Sequence, residues 1–378
     1  MAGRAKHVNF LIPSLSRGGA QWYVIRNANE LLQRGYRVSV LVIDGDDTMR
    51  DEFRPGITLT LLYGRASSPH TMVKLLKALR ADPPDVVLAM STLACLMAAV
   101  ARMLGVARHV VLLEVNYPAK QFETMAPWRR WVTKLTTPPL YRRADVVAGN
   151  SDEIVAYMKQ WIGPGPLYRR DYNPVDFPHL HGLAAETLSL PPRQIGELVI
   201  LGAGRMWRQK GFDVLLHACA RLLDHPVPWK LWMLGEGGEL ENLKALGAEL
   251  GLGDRVVWLG MQRNPFPYFK VADVVVLPSR FEGFPNVLLE AMALGRASVA
   301  TDCLSGPREL ADGQRCGLLV PVEDDAAMAA AIGQLLESPE RRAELGANAR
   351  ARTERIYSDR QVFEVFIETL NLAMAGAS

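Results

Sequence analysis

Short apolar runs alternate with amphipathic stretches along most of this chain. Val8–Ile12, Val38–Ile43, Ile57–Leu62, Asp85–Met90, His109–Val115 and Asp145–Gly149 have the length and composition of buried strands. Between them, apolar residues recur at the helical period. Trp22, Ile25, Ala28, Leu31 and Leu32 do so between Gly19 and Arg34, and Gly35 is the expected stop. Continuous apolar strands joined by helices predict a parallel sheet covered on both faces.

The alternation lapses at Asn173–Gly196, a polar stretch carrying Pro174, Pro178, Pro191 and Pro192. We read 174–196 as a linker. A second series starts at Glu197, with strands at Leu198–Gly202, Lys230–Leu234, Arg255–Leu259, Asp273–Pro278, Ser298–Thr301 and Leu318–Val320. Three helical stretches follow from about Asp324. The predicted fold is α/β, with two Rossmann-like, doubly wound domains at 1–173 and 197–356 facing a cleft. A last helix at 357–378 is placed to pack back on the first domain. Ligands of such sheets lie beyond the carboxyl ends of the strands, so the expected site is the cleft.

Composition narrows the function classes. The chain has 378 residues, 49% hydrophobic and 22% charged, enough apolar content for two cores and too much for disorder. Its net charge of +3 leaves no global basic field, and we expect no nucleic-acid partner. Cys95, Cys219, Cys303 and Cys316 form no CxxC pair and read as buried, reduced thiols. The start has no signal core. Val86–Ala101 is too short for a membrane helix, so a cytoplasmic setting is expected.

Three constellations could carry chemistry. Ser16-Arg17-Gly18-Gly19-Ala20-Gln21 joins the first strand to the first helix. It is either an ordinary tight turn or a backbone cradle for an anion at a helix N-terminus, and it is not GxGxxG. Gly202-Ala203-Gly204-Arg205, then Gln209-Lys210-Gly211, sets Arg205, Arg208 and Lys210 before another helix. It suits a diphosphate, or is a solvated basic loop. The third is Ser279-Arg280-Phe281-Glu282-Gly283-Phe284-Pro285-Asn286-Val287-Leu288-Leu289-Glu290. Glu282 falls in a turn and Glu290 inside an apolar helix, where a carboxylate needs partners such as ribose hydroxyls. A solvated Glu and a capping Glu are the plainer alternative.

Glu282–Glu290 resembles the EX7E motif of the family 4 retaining glycosyltransferases with the GT-B fold. Gly260-Met261-Gln262-Arg263-Asn264-Pro265, Ala272-Asp273, Thr301–Leu310, Gly317–Val320 and Asn173-Pro174-Val175-Asp176 resemble the surroundings of that motif. The resemblance covers nearly the whole chain and is most specific over 198–322. It implies a nucleotide-sugar donor as substrate, with no cofactor and no metal, because Arg205 and Lys210 would neutralise the departing diphosphate. Catalytic roles fall to Arg205, Lys210 and Glu282. Glu290 would hold the ribose. Glu282, Gly283, Phe284 and Pro285 would face the sugar, and Asn286 and Val287 the distal phosphate. Gly18 and Gly19 would approach the diphosphate from the first, acceptor-side domain. Met261 to Asn264 would border the base. The implied acceptor is a glycan or lipid-linked glycan of the bacterial cell surface, met at the inner face of the plasma membrane.

The sequence departs from the family at the acceptor side. Many relatives carry a histidine after a first-domain strand. Here the stretch is Leu113-Glu114-Val115-Asn116-Tyr117, and Glu114 or Asn116 occupies that neighbourhood. Trp128, Trp131 and Trp161 read as helix-packing residues, and His179 and His181 as solvated. The competing reading of Pro127–Arg143 is a peripheral membrane contact, from its tryptophans and basic residues. A nucleotide-sugar epimerase of related fold and a catalytically silent glycan-binding protein are the alternative functions.

Overall fold

The computed structural model describes residues 5–16, 18–65, 68–123, 125–188 and 190–376. Arg17 of the first glycine turn lies outside them. The chain divides into two units, 1–173 with 362–378, and 174–361.

Among the described residues, the first unit has seven strands: β1 (His7–Ile12), β2 (Arg37–Val42), β3 (Thr58–Leu61), β4 (Val86–Met90), β5 (Val110–Glu114), β6 (Val146–Gly149) and β7 (Leu167–Arg170). They form one sheet in the order β3-β2-β1-β4-β5-β6-β7, and every pairing is parallel. Alternate side chains feed opposite faces. Val8, Phe10, Val40 and Leu88 join one core, and Leu11, Leu41, Val87 and Leu112 the other. The final helix, Asp359–Ala375, adds Phe363, Phe366, Leu370 and Ala373 to the first of these cores. Phe366 stacks on Phe10 and meets Tyr23 edge-on.

The second unit has β8 (Leu198–Ala203), β9 (Trp229–Leu234), β10 (Val256–Gly260), β11 (Val274–Leu277), β12 (Ala297–Thr301) and β13 (Leu318–Val320). Their order is β10-β9-β8-β11-β12-β13, again all parallel. In both sheets the winding reverses beside the first strand, between β1 and β4 and between β8 and β11. Such switch points open a crevice at the carboxyl ends of the strands.

Three strands are preceded by the same device. Asp85, Asp145 and Asp273 lie just outside β4, β6 and β11, where the sequence pattern includes them. Each carboxylate accepts a backbone N–H from the neighbouring strand, of His7, Val110 and Val199. The proline-rich stretch after Asn173 is also more ordered than its composition suggests. Within it Phe177–Ala184 is a helix capped by Asp176, whose carboxylate accepts the His179 N–H. His181 packs its ring near Phe177 and buries Nε2, so it is not a solvated side chain. All four cysteines are buried and unpaired. Among the described residues no helix is long and apolar enough to cross a membrane.

Candidate active site

The carboxyl ends of β8 and β11 flank the switch point of the second sheet, and the loops that leave them meet there. After β8 the chain runs through Gly204 and Arg205 to a short 3-10 turn, Arg208–Lys210, and enters the helix Phe212–Ala220 at Gly211. Gly211 has φ +64, and a Cβ on it would lie 2.0 Å from the Pro278 carbonyl oxygen just after β11. Only glycine lets these two loops approach so closely.

That approach places Lys210 against Glu282. Lys210 Nζ lies 2.6 Å from Glu282 Oε1, and the Ser279 hydroxyl donates to the same oxygen at 2.5 Å. The Glu282 side chain is only 6% exposed and that of Lys210 13%. An enclosed carboxylate so held is fixed in position and charge-compensated. Ser279 is positioned in turn by the Thr301 hydroxyl, which donates to its carbonyl from the end of β12. Ser305, at φ +71, donates to the Gly283 carbonyl at 2.5 Å and holds the turn after Glu282. Cys303 lies behind this cluster. Burial, and then the nearby Glu282 charge, push its thiol up to about 12, so it is an inert filler.

Two cations of this region have different tasks. Arg280 donates to both Asp213 oxygens, at 2.9 and 2.7 Å, to the Arg208 carbonyl at 2.6 Å, and to Glu323. It is a clamp between loops. Arg205 is exposed and makes no side-chain hydrogen bond or ion pair among the described residues. The helix Asn286–Ala293 begins without a side-chain cap at Pro285 and carries Glu290, half-buried, on its second turn.

Known sequences and structures decide what this arrangement belongs to. Residues 18–176 match the family described as "Glycosyl transferase 4-like domain", and residues 197–338 the family "Glycosyl transferases group 1". One relative is the N-acetylgalactosamine-N,N'-diacetylbacillosaminyl-diphospho-undecaprenol 4-alpha-N-acetylgalactosaminyltransferase of Campylobacter jejuni. It is 32% identical over 258 residues, 68% of each chain. This chain is a group 1 glycosyl transferase. The lipopolysaccharide core biosynthesis glycosyltransferase LpsD of Rhizobium meliloti is 25% identical over 366 residues, 95% of this chain and 97% of its own. The crystal structure of HepE of Anabaena in complex with UDP superposes with a TM-score of 0.80 at 21% identity, covering 97% of this chain and 99% of its own. The glycosyltransferase therefore has the GT-B fold, with two Rossmann-like domains.

The structure of this glycosyltransferase brings Lys210 and Glu282 together, with Gly283, Phe284 and Pro285 in the buried turn beyond. Asn286, Val287 and Glu290 lie on the helix that follows. Met261 is largely exposed after β10, and its N–H donates to Glu236 at 3.3 Å. Asn264 fastens the same loop. Its amide donates to the Leu183 carbonyl and to Glu186, each at 2.8 Å, and its carbonyl accepts the Phe266 N–H.

In the first unit, Gly18 is the N-cap of the helix Gly19–Gln33, which has no side-chain cap and no acidic residue in its first turn. Glu114 ends β5 and is 1% exposed. It accepts the Tyr141 hydroxyl at 2.5 Å and the Thr92 hydroxyl at 2.9 Å, and burial pushes its carboxyl up to about 7. Asn116, two residues on, is exposed.

Sequence reasoning overlooked the turn after β9. Gly235 and Gly237 sit at positive φ, and a Cβ on either would collide with the Gly204 or Met206 carbonyl oxygen, at 1.9 and 2.4 Å. Glu239 N and Met206 N close this contact with backbone hydrogen bonds. The turn thereby shapes the segment that presents Arg205. The signal was Gly235-Glu236-Gly237-Gly238 directly after an apolar strand.

Proposed function

We propose that this glycosyltransferase moves a hexose, with retention of configuration, from a nucleoside-diphosphate sugar to a lipid-linked or lipopolysaccharide glycan, as a member of the family 4 enzymes. The Lys210–Glu282 contact at the switch point of the second sheet carries the reading. When the bond from the anomeric carbon to the diphosphate breaks, negative charge collects on the phosphate oxygens. Arg205 and Lys210 offset that charge without a divalent metal. Glu282, fixed by Ser279, faces the sugar together with Gly283, Phe284 and Pro285. The positive end of the helix that starts at Asn286 and Val287 takes the distal phosphate, and Glu290 the ribose hydroxyls. The family resemblance gives Gly18 and Gly19, at the start of the first helix, a part in holding the donor diphosphate. Met261 and Asn264 border the base. On the acceptor side, exposed Asn116 is the better placed of the two candidates, while Glu114 acts through the helix that Tyr141 closes.

The acceptor assignment rests on the Campylobacter jejuni relative, whose name specifies a diphospho-undecaprenol-linked substrate, and on the Rhizobium meliloti relative, named for lipopolysaccharide core biosynthesis. A lipid-linked acceptor puts the enzyme at the inner face of the plasma membrane.

Incubation with nucleotide sugars, with and without a lipid-linked glycan, tests the reading. Transfer only when acceptor is present, with the product's anomeric configuration matching the donor's by NMR, is expected. A new nucleotide sugar formed without acceptor would identify an epimerase, and an inverted product would overturn retention. A donor that raises the thermal midpoint but never turns over would leave a binding protein.

A further inference from the structure

The helix Pro127–Tyr141 of the first unit is built inside out. Its buried residues are Thr137 and Tyr141. Trp128, Trp131, Val132 and Leu135 are 65%, 67%, 41% and 60% exposed. Their spacing, i, i+3, i+4 and i+7, puts all four on one helical face, roughly opposite Thr137 and Tyr141. The expectation that Trp128 and Trp131 pack inward is therefore wrong. Trp161 does pack inward, against Phe122 and Tyr157. The helix cannot roll its tryptophans under without withdrawing the Tyr141 hydroxyl from buried Glu114, 2.5 Å away.

Single exposed apolar residues are ordinary, but a contiguous apolar face is a contact surface. From this helix we propose that its outer face docks the enzyme on an anionic lipid bilayer. Arg129 and Lys134 are exposed and flank the apolar face on either side, and Arg142 and Arg143 follow at its end. Residues 127–143 contain no Asp or Glu. Tryptophan favours the headgroup layer, and basic flanks favour anionic lipid. A flat-lying amphipathic helix with such flanks binds in the plane of the interface. A second copy is the poorer occupant, because it would set basic flank against basic flank. Docking through this helix stands or falls separately from the donor site and the acceptor assignment.

Flotation of the full chain tests it, using vesicles of phosphatidylcholine with and without phosphatidylglycerol, at low and high salt. The protein is expected to float with the anionic vesicles only, less so at high salt, and its tryptophan emission to be quenched by lipid-borne bromine. Arg129→Gln with Lys134→Gln should weaken partitioning about thirtyfold, from about 1 kcal/mol per near-surface charge. Trp128→Ala with Trp131→Ala should abolish flotation at an unchanged thermal midpoint. Absence of flotation and quenching for the unaltered protein overturns the proposal, as does equal binding to both vesicle types or by folded variants. A dimer that the tryptophan variant dissociates, with no vesicle binding, would overturn it in favour of self-association. A midpoint shift by nucleotide sugar in lipid-free solution reads the donor site independently of these outcomes.

Discussion

Lys210 and Glu282 are 72 positions apart in sequence and 2.6 Å apart in space. They leave β8 and β11, which the chain makes neighbours by winding back past β9 and β10. Each side chain is enclosed, so each depends on the other. Lys210→Met alone leaves a buried carboxylate unpaired, at a cost of about 3–5 kcal/mol. Adding Glu282→Gln should return part of that loss, with a coupling of about 1–3 kcal/mol. Urea denaturation of the two single variants and the double variant measures it, and strictly additive changes would refute the coupling. On the proposed role, Lys210→Met also lowers kcat on the order of a hundredfold or more.

The glycine behind this pair is a second target. Gly211→Ala forces a Cβ to 2.0 Å from the Pro278 carbonyl oxygen and into a left-handed backbone. Gly251 has nearly the same φ, +70, with open space around it. Gly251→Ala should therefore cost only the conformational term, about 1–2 kcal/mol. Gly211→Ala should cost distinctly more and disturb the active site. Thermal unfolding of both compares steric collision with backbone strain directly, and equal losses would mean the loops separate easily.

Much of this frame is legible in the sequence because buried parallel strands announce themselves as apolar runs. β7 does not. Leu167-Tyr168-Arg169-Arg170 is a partly exposed edge strand with no such run. The prolines after Asn173 suggested a linker, but Pro178 stands at a helix start behind the capping Asp176, a position that favours proline. Asp-Val-Val recurs at 85–87, 145–147 and 273–275, and the Asp was read as strand rather than as acceptor for the neighbouring strand's N–H. Within the site, Glu282 and Lys210 stood out by type and spacing. The groups that fix Glu282 did not. Ser279, Thr301 and Ser305 matter only because β11 and β12 are adjacent. Arg280 stands in the same run as Glu282, and its guanidinium is committed to Asp213 and Glu323, partners that only the folded loops bring to it.

Ribose binding by Glu290 is a question of affinity. Glu290→Ala should weaken binding of the free nucleoside diphosphate by roughly ten- to a hundredfold, the worth of a charged hydrogen bond at about 1.5–3 kcal/mol. Calorimetric titration measures it, and unchanged affinity in a folded variant would refute the assignment.

Charge neutralisation by Arg205 and Lys210 predicts activity that survives exhaustive chelation. Turnover assayed in chelator, then with Mg or Mn restored, checks this. A loss reversed specifically by either ion would place the phosphate charge on a metal rather than on these side chains.

Glu114 makes stability depend on pH in a defined direction. Burial raises its carboxyl from 4.5 to about 7, so the folded protein retains this proton where the unfolded chain has released it. Stability from this group is fully present below about pH 4.5 and is lost as pH rises to about 7. The shift corresponds to about 3 kcal/mol as an order of magnitude. Burial likewise raises Asp171 from 3.8 to about 7, against the hydrogen bond it accepts from the Tyr23 hydroxyl, and adds a slope of the same sign. Glu114→Gln keeps an acceptor for Tyr141 and removes the ionisation. The variant should therefore match the wild type near pH 4.5, exceed it above pH 7, and show a shallower fall between. Denaturation midpoints across that range, with Asp171→Asn as the companion, decide the matter. An unchanged slope in folded Glu114→Gln would mean that the carboxyl ionises without cost, and that its burial does not tie the stability of the first unit to pH.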